Sequence, residues 1–313
     1  MEEGILVKDS IQTVVSQIFI MFLLMFLGHL LYRRKMIDER FSKQLSALLL
    51  NIVTPAVLII SYQRPFDKED ARQLALAFFY SAVTFAIAIV AAWLLFGRSQ
   101  KPYAKDARMC VIFSNNGFMA IPLLQALLGA EGVFLGSASI VSATVIAWTY
   151  GARMLSGERG TDFKKILLNP GTLALAGGVL LFCSPWKLPG PIFQAAEYLG
   201  GLNTPLGMIV LGVNLSQANV LSCLKDKTVY LISFVKLLVV PLLSAGALYV
   251  LGAQTVTAMA LLIGVAAPSG VIASMMAQMF GTDYRFSARA VAVTTLLSAV
   301  TMPLFLLLAQ RMW

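Results

Sequence analysis

Long apolar runs, each of about twenty residues and bounded by short polar stretches, recur along the whole chain. A helix needs roughly 20 such residues to cross a bilayer core, and it satisfies its own backbone groups where no water reaches. The pattern predicts an all-α polytopic membrane protein with ten spans. They lie at about 12–33, 42–62, 72–96, 108–129, 132–152, 168–184, 191–215, 228–251, 255–280 and 288–310. Span six is short and carries Gly171, Gly177 and Gly178, and span seven encloses Glu197 and Asn203. Most loops are short and leave no room for a soluble domain.

Composition agrees. The 313 residues are 58% hydrophobic and 12% charged, against roughly 25% charged in a soluble domain, and mean hydropathy is +0.80. The first run, Ile11 to Leu31, follows MEEGILVKDS, has no small-residue cleavage site and ends in YRRK. It reads as a span rather than a signal peptide. Cys110, Cys183 and Cys223 lack metal or disulfide spacing and read as apolar fillers.

The net charge of +9 suggests nucleic acid until the basic residues are sorted by side. Loops after spans one, three, five, seven and nine hold seventeen of them, among them Arg33, Arg34, Arg98, Lys101, Lys164 and Arg285. The other side holds six, and Lys236 alone lies inside a span. The positive-inside rule then places the odd loops in the cytoplasm and both termini outside. Topology accounts for the charge, and no nucleic-acid partner is expected.

Two stretches echo each other: NNGFMAIPLLQALLGAEG from Asn115 and PSGVIASMMAQMFGTDYR from Pro268. Gly117 aligns with Gly270, Gly129 with Gly281 after one residue of slippage, and Glu131 with Asp283. Thr54-Pro55 in span two is matched by Thr204-Pro205 in span seven. These matches predict two five-span units, 1–155 and 156–313, of opposite orientation, as in many secondary transporters. Close packing of helices through small residues is the competing explanation.

Span four carries Ser114, Asn115, Asn116, Gly117 and Pro122; span nine carries Pro268, Ser269 and Gly270. Proline removes a backbone donor and glycine lets the chain open. Such breaks are tolerated at membrane depth where protein or a water-filled cavity covers them. Two broken helices crossing near the midplane would aim half-helix starts at a common point, and asparagine amides there can donate to an anion. Caps and a simple kink are the alternative.

The motifs NNGFMAIPLL, GLNTPLGMIVLG, and APSG followed by FGTDYRFS resemble, in order and spacing, a bacterial member of the auxin efflux carrier family. The bile acid–sodium symporters, which share a ten-helix fold, are more distantly similar. The resemblance covers essentially the whole chain. It implies a scaffold domain of spans 1, 2, 6 and 7, a transport domain of spans 3–5 and 8–10, and broken helices four and nine crossing in the latter. It implies that Asn115, seven residues before Pro122, binds the substrate carboxylate, and that Pro122 and Pro268 are the crossover prolines. It further implies a permease for an organic mono- or dicarboxylate in the bacterial inner membrane, working as a homodimer. The plant carriers' long cytoplasmic loop is here only SGERGTDFKK, so no regulatory domain is expected.

Further polar residues are candidates. Lys236 lies about eight residues into span eight, roughly 12 Å deep at 1.5 Å per residue; it pairs with substrate or carbonyls, or snorkels. Gln125 and Gln278 lie beyond the two breaks and are expected to help line the crossover. Asn51, Pro55, Asn203 and Pro205 are expected to line the scaffold face, with Asn214 nearer the cytoplasmic mouth. His29 and Glu197 are weaker candidates for proton or cation coupling. Span nine contains no acid, which weakens a sodium site. No phosphate loop, metal cluster or nucleophile–base constellation appears in the sequence, so neither cofactor nor enzyme is expected. The function expected is a secondary carrier for an organic carboxylate, with H+ or Na+ as possible coupling ion. A channel-like anion pathway, a sodium-coupled symporter and a non-transporting receptor are the rivals.

Overall fold

The computed structural model describes residues 2–157, 168, 170–217 and 226–313, with the side chains of residues 2–14, 50 and 171 outside that description. Cys223 and the basic residues Arg159, Lys164, Lys165 and Lys225 lie outside the described residues. Fifteen α-helices are described: α1 (Glu2–Arg33), α2 (Glu39–Leu48), α3 (Thr54–Ser61), α4 (Lys68–Phe96), α5 (Ala104–Ile112), α6 (Ile121–Ile146), α7 (Ala152–Ser156), α8 (Pro170–Cys183), α9 (Gly190–Gly201), α10 (Asn203–Gln217), α11 (Lys227–Phe234), α12 (Val240–Val250), α13 (Thr255–Ala266), α14 (Val271–Met279) and α15 (Tyr284–Met312).

Among the described residues, four five-residue π-helical segments each lead directly into the helix that follows: Leu49–Val53, Asn116–Ala120, Ala147–Gly151 and Val235–Val239. Three are followed directly by a first turn containing proline, at Pro55, Pro122 and Pro241. Proline cannot donate to the carbonyl four residues back, and its ring crowds that carbonyl. A wider turn relieves both without ending the helix.

Among the described residues, seven helical stretches are long and apolar enough to cross a membrane: Val15–Arg33, Glu39–Ser61, Lys68–Phe96, Asn116–Ser156, Gly190–Gln217, Lys227–Val250 and Tyr284–Met312. Two shorter apolar helices, Thr172–Cys183 and Thr255–Ala266, accompany them. Phe19, Leu94, Leu180 and Val300 face outward, while Asp106, Ser137, Lys236, Ser269 and Thr294 are buried. Apolar outside and polar inside is the arrangement expected when lipid is the solvent. The chain is an all-α, multi-pass membrane protein.

Helix packing positions the site. α1 lies along α10, where two glycines let the backbones touch. A Cβ on Gly28 would sit 2.2 Å from the Ile209 carbonyl oxygen, and one on Gly212 would sit 1.9 Å from that of Met25. α3 packs on α8 and α9; α4 packs on α5, α6 and α12; α15 packs against α5, α13 and α14. One apolar core, including Phe85, Met109, Phe113, Ala147, Val235 and Phe286, is built only from α4 through α7 and α11 through α15 with their π segments.

Candidate functional site

α5 stops at Ile112, and the chain runs non-helical through Phe113, Ser114 and Asn115 before the π segment begins at Asn116. α13 stops at Ala266, and Ala267 to Gly270 are extended before α14 starts. The two unwound pieces cross and bond to each other. The Asn115 N–H donates to the Pro268 carbonyl (2.8 Å), and the Gly270 N–H donates to the Phe113 carbonyl (2.8 Å). Ser114 and Ser269 thereby form an isolated antiparallel bridge. Gly270 permits the contact, since a Cβ there would meet the Ser114 carbonyl oxygen at 2.6 Å.

Each serine then serves the opposite half-helix. Ser269 Oγ donates to the Cys110 carbonyl in the last turn of α5 (2.7 Å), and Ser114 Oγ to the Val265 carbonyl in the last turn of α13 (3.4 Å). Carbonyls at a helix C-terminus lack intrahelical partners, so these hydroxyls fill a requirement of the break itself. Two further hydroxyls brace the crossing. Asn116 Nδ2 donates to Ser139 Oγ (2.9 Å), and the Ser269 N–H donates to Thr294 Oγ1 (3.2 Å). Ser139 follows Ser114 at the same sequence distance as Thr294 follows Ser269. That spacing shows only once Ser114 and Ser269 are known to pair, and sequence reasoning picked out neither Ser139 nor Thr294.

Two amide atoms are left over. Asn115 Nδ2 and Asn116 Oδ1 are buried and without a hydrogen-bond partner. An unpaired buried polar atom loses its hydration without compensation, by roughly 1–3 kcal/mol. Asn115 thus holds an unused donor at the crossing, next to the N–H-bearing start of the segment from Asn116.

Lys236, on the π segment between α11 and α12, is buried. Its ammonium donates to Ser114 Oγ and to the Val265 carbonyl (3.3 Å). The cavity beside it, lined by Ser114, Asn116, Ser139, Lys236 and Val265 among others, has about 10 Å³ free. A water needs roughly 10–15 Å³, so this side of the crossing is closed to any larger ligand.

The other predicted residues divide. Asn203 is buried and spans the gap between α10 and the crossing: its Nδ2 donates to the Gly117 carbonyl (3.0 Å), and its Oδ1 accepts from Thr54 Oγ1 (3.3 Å). Pro55 and Pro205 are half-buried, in the first turns of α3 and α10. Pro268 is in the crossing, but Pro122 is buried in the first turn of α6, beyond the π segment, and takes no part in it. Gln125 and Gln278 are exposed, as is Asn51, so none of the three lines the crossing in this conformation. The sequence match of Gly117 with Gly270 is off by two residues, because the backbone pairs Ser114 with Ser269. Gly129 (φ 61°) and Gly281 (φ 68°) do share a left-handed conformation that favours glycine. His29 Nδ1 is bonded to Ser216 Oγ (2.6 Å), and Glu197 is exposed.

The family model described as "Membrane transport protein" matches residues 13–162 and 159–306. An uncharacterized transporter of Methanothermobacter thermautotrophicus (strain Delta H) is 26% identical over 302 residues, covering 95% of this chain and 97% of the relative. A polar crossing inside an apolar-faced helical bundle is the site these matches accompany. The chain belongs to the membrane transport protein family, that of the auxin efflux carriers, and is a membrane-embedded transport protein of secondary-transporter type rather than an enzyme.

Proposed function

We propose that the protein carries an organic mono- or dicarboxylate across the bacterial inner membrane by alternating access, with the anion's carboxylate bound at the crossing of spans four and nine. The observation that carries this reading is the free, buried Asn115 Nδ2 beside two unwound segments that hold each other by reciprocal backbone bonds. An anion brings the charge that this donor and the adjoining half-helix starts attract. No carboxylate of the protein is needed.

Ten spans in two inverted units fit the helices. The stretch Asn116–Ser156 has 41 residues, about 60 Å of helix at 1.5 Å per residue and twice what a bilayer requires. Gly129 (φ 61°, ψ −152°) interrupts it. Reading it as the end of span four plus span five, with the two shorter apolar helices as spans six and nine, brings the total to ten. Reciprocal pairing at Ser114 and Ser269, and the matched hydroxyls Ser139 and Thr294, support a two-fold relation between the halves. The apolar core confined to spans 3–5 and 8–10 supports a transport domain moving against a scaffold of spans 1, 2, 6 and 7. Asn203 is then the scaffold's link to the crossing, and both termini lie outside. Export of an anion is favoured by a negative-inside potential, by about 2.3 kcal/mol per charge per 100 mV.

Uptake of labelled malate, malonate and an indole acid into proteoliposomes tests the reading, under imposed voltage and separate proton and sodium gradients. Saturable flux of one acid that disappears in Asn115→Ala is expected. Equal flux in the variant would move the site elsewhere. Flux that never saturates would make the pathway a channel, and no flux of any acid would remove the carboxylate class.

A further inference from the structure

Lys236 is placed as a bound cation would be. Its ammonium is buried, touches Ser114 Oγ and the Val265 carbonyl, and pairs with no carboxylate among the described residues. The Val265 carbonyl is in the last turn of α13, the negative end of that half-helix. Asn116, Ser139 and Thr84 face the same small cavity, and Asn116 Oδ1 there has no partner. Each of these groups presents neutral oxygen. Unwound carbonyls and half-helix C-terminal ends are the groups that coordinate sodium in broken-helix carriers, and a desolvated monovalent ion needs such oxygens in place of its water. With about 10 Å³ free, the cavity has no room for an ion while the ammonium is present.

The two halves differ here. The last turn of α5 is met by the Ser269 hydroxyl. The residue as far before Lys236 as Ser114 is before Ser269 is Ser81, a buried hydroxyl with no partner. One half-helix end therefore has a cation on it and its counterpart does not.

We infer that Lys236 is the crossing's built-in cation: its ammonium fills an oxygen-lined monovalent-cation site, the protein works without a free sodium ion there, and removing the ammonium opens the site to sodium. This rests on the reading of the crossing as the transport site. Lys236 is a positioning residue in this account, acting through Ser114 and α13 rather than on the substrate.

The test is thermal unfolding of purified protein in detergent, in sodium, potassium or choline chloride at equal ionic strength. It requires neither substrate nor flux, so it fails or succeeds independently of the carboxylate reading. Wild type is expected to unfold at the same temperature in all three salts. Lys236→Ala is expected to unfold earlier in choline and to recover by several degrees, saturably, as sodium replaces choline. A merely structural lysine would give the loss without the ion-specific recovery. Lys236→Gln, which keeps a donor for the Val265 carbonyl, serves if the alanine variant does not fold. A variant that folds and shows no sodium-specific recovery overturns the inference. If neither variant folds, wild type decides: stabilisation by sodium over potassium and choline overturns the inference, and indifference upholds it.

Discussion

Asn115 and Asn116 are neighbours with opposite deficits, one missing an acceptor for its Nδ2 and the other a donor for its Oδ1. Their backbone placement depends on Gly270, whose missing Cβ leaves room for the Ser114 carbonyl. Gly270→Ala is expected to push the two segments apart and lower stability by about 1–3 kcal/mol, as overpacking does. Gly117→Ala, where a Cβ meets nothing within 4 Å, is expected to stay within about 0.5 kcal/mol. Thermal unfolding of the pair checks both; equal losses would mean that Gly270 is not the tight position. The sequence marked these two glycines as equivalent, because the motif shows that a break exists but not which residues touch. Gln125 was misplaced for a related reason. A π segment adds a residue to the turn and rotates everything after it by about 100°; Pro122 marks a disturbance there but does not say that a residue has been added to the turn.

At the scale of elements, the breaks were legible and the braces were not. Asn-Asn-Gly with a following proline, and Ala-Pro-Ser-Gly, interrupt apolar runs in a way only helix breakers do, and both interruptions are present. Ser139 and Thr294 look like any hydroxyl in a membrane helix until the crossing gives them partners. Asn203 reads as a scaffold polar group, and its bond to the Gly117 carbonyl appears only when α10 meets the crossing. The α1–α10 pair makes its own prediction. Gly212→Ala puts a Cβ against the Met25 carbonyl and is expected to cost about 1–3 kcal/mol of stability. Gly246→Ala, with open space around it, is expected to be neutral or slightly stabilising. Unfolding midpoints distinguish these outcomes.

For the whole molecule, composition and run length were sufficient to establish an all-α membrane protein, because only helices satisfy their backbone in lipid over such lengths. Sidedness depends on charge placement. In a chain lacking Cys110, Cys183 and Cys223, a cysteine at Ser99 is expected to react with an impermeant thiol reagent only after the membrane is opened. A cysteine at Phe66, which is exposed, is expected to react in intact cells. The reverse pattern would invert the topology. The central claim is that an anion's carboxylate is held by Asn115. The most direct measurement is equilibrium binding of the transported acid to purified wild type and to Asn115→Asp, which keeps the side chain's size but replaces the donor with a negative charge. Loss of a hydrogen bond to a charged group is worth about 1.5–3 kcal/mol, or about tenfold to a hundredfold in affinity. The account predicts at least that loss in protein that remains folded, even though a buried charge lowers its unfolding midpoint; equal affinity in the two proteins would contradict it.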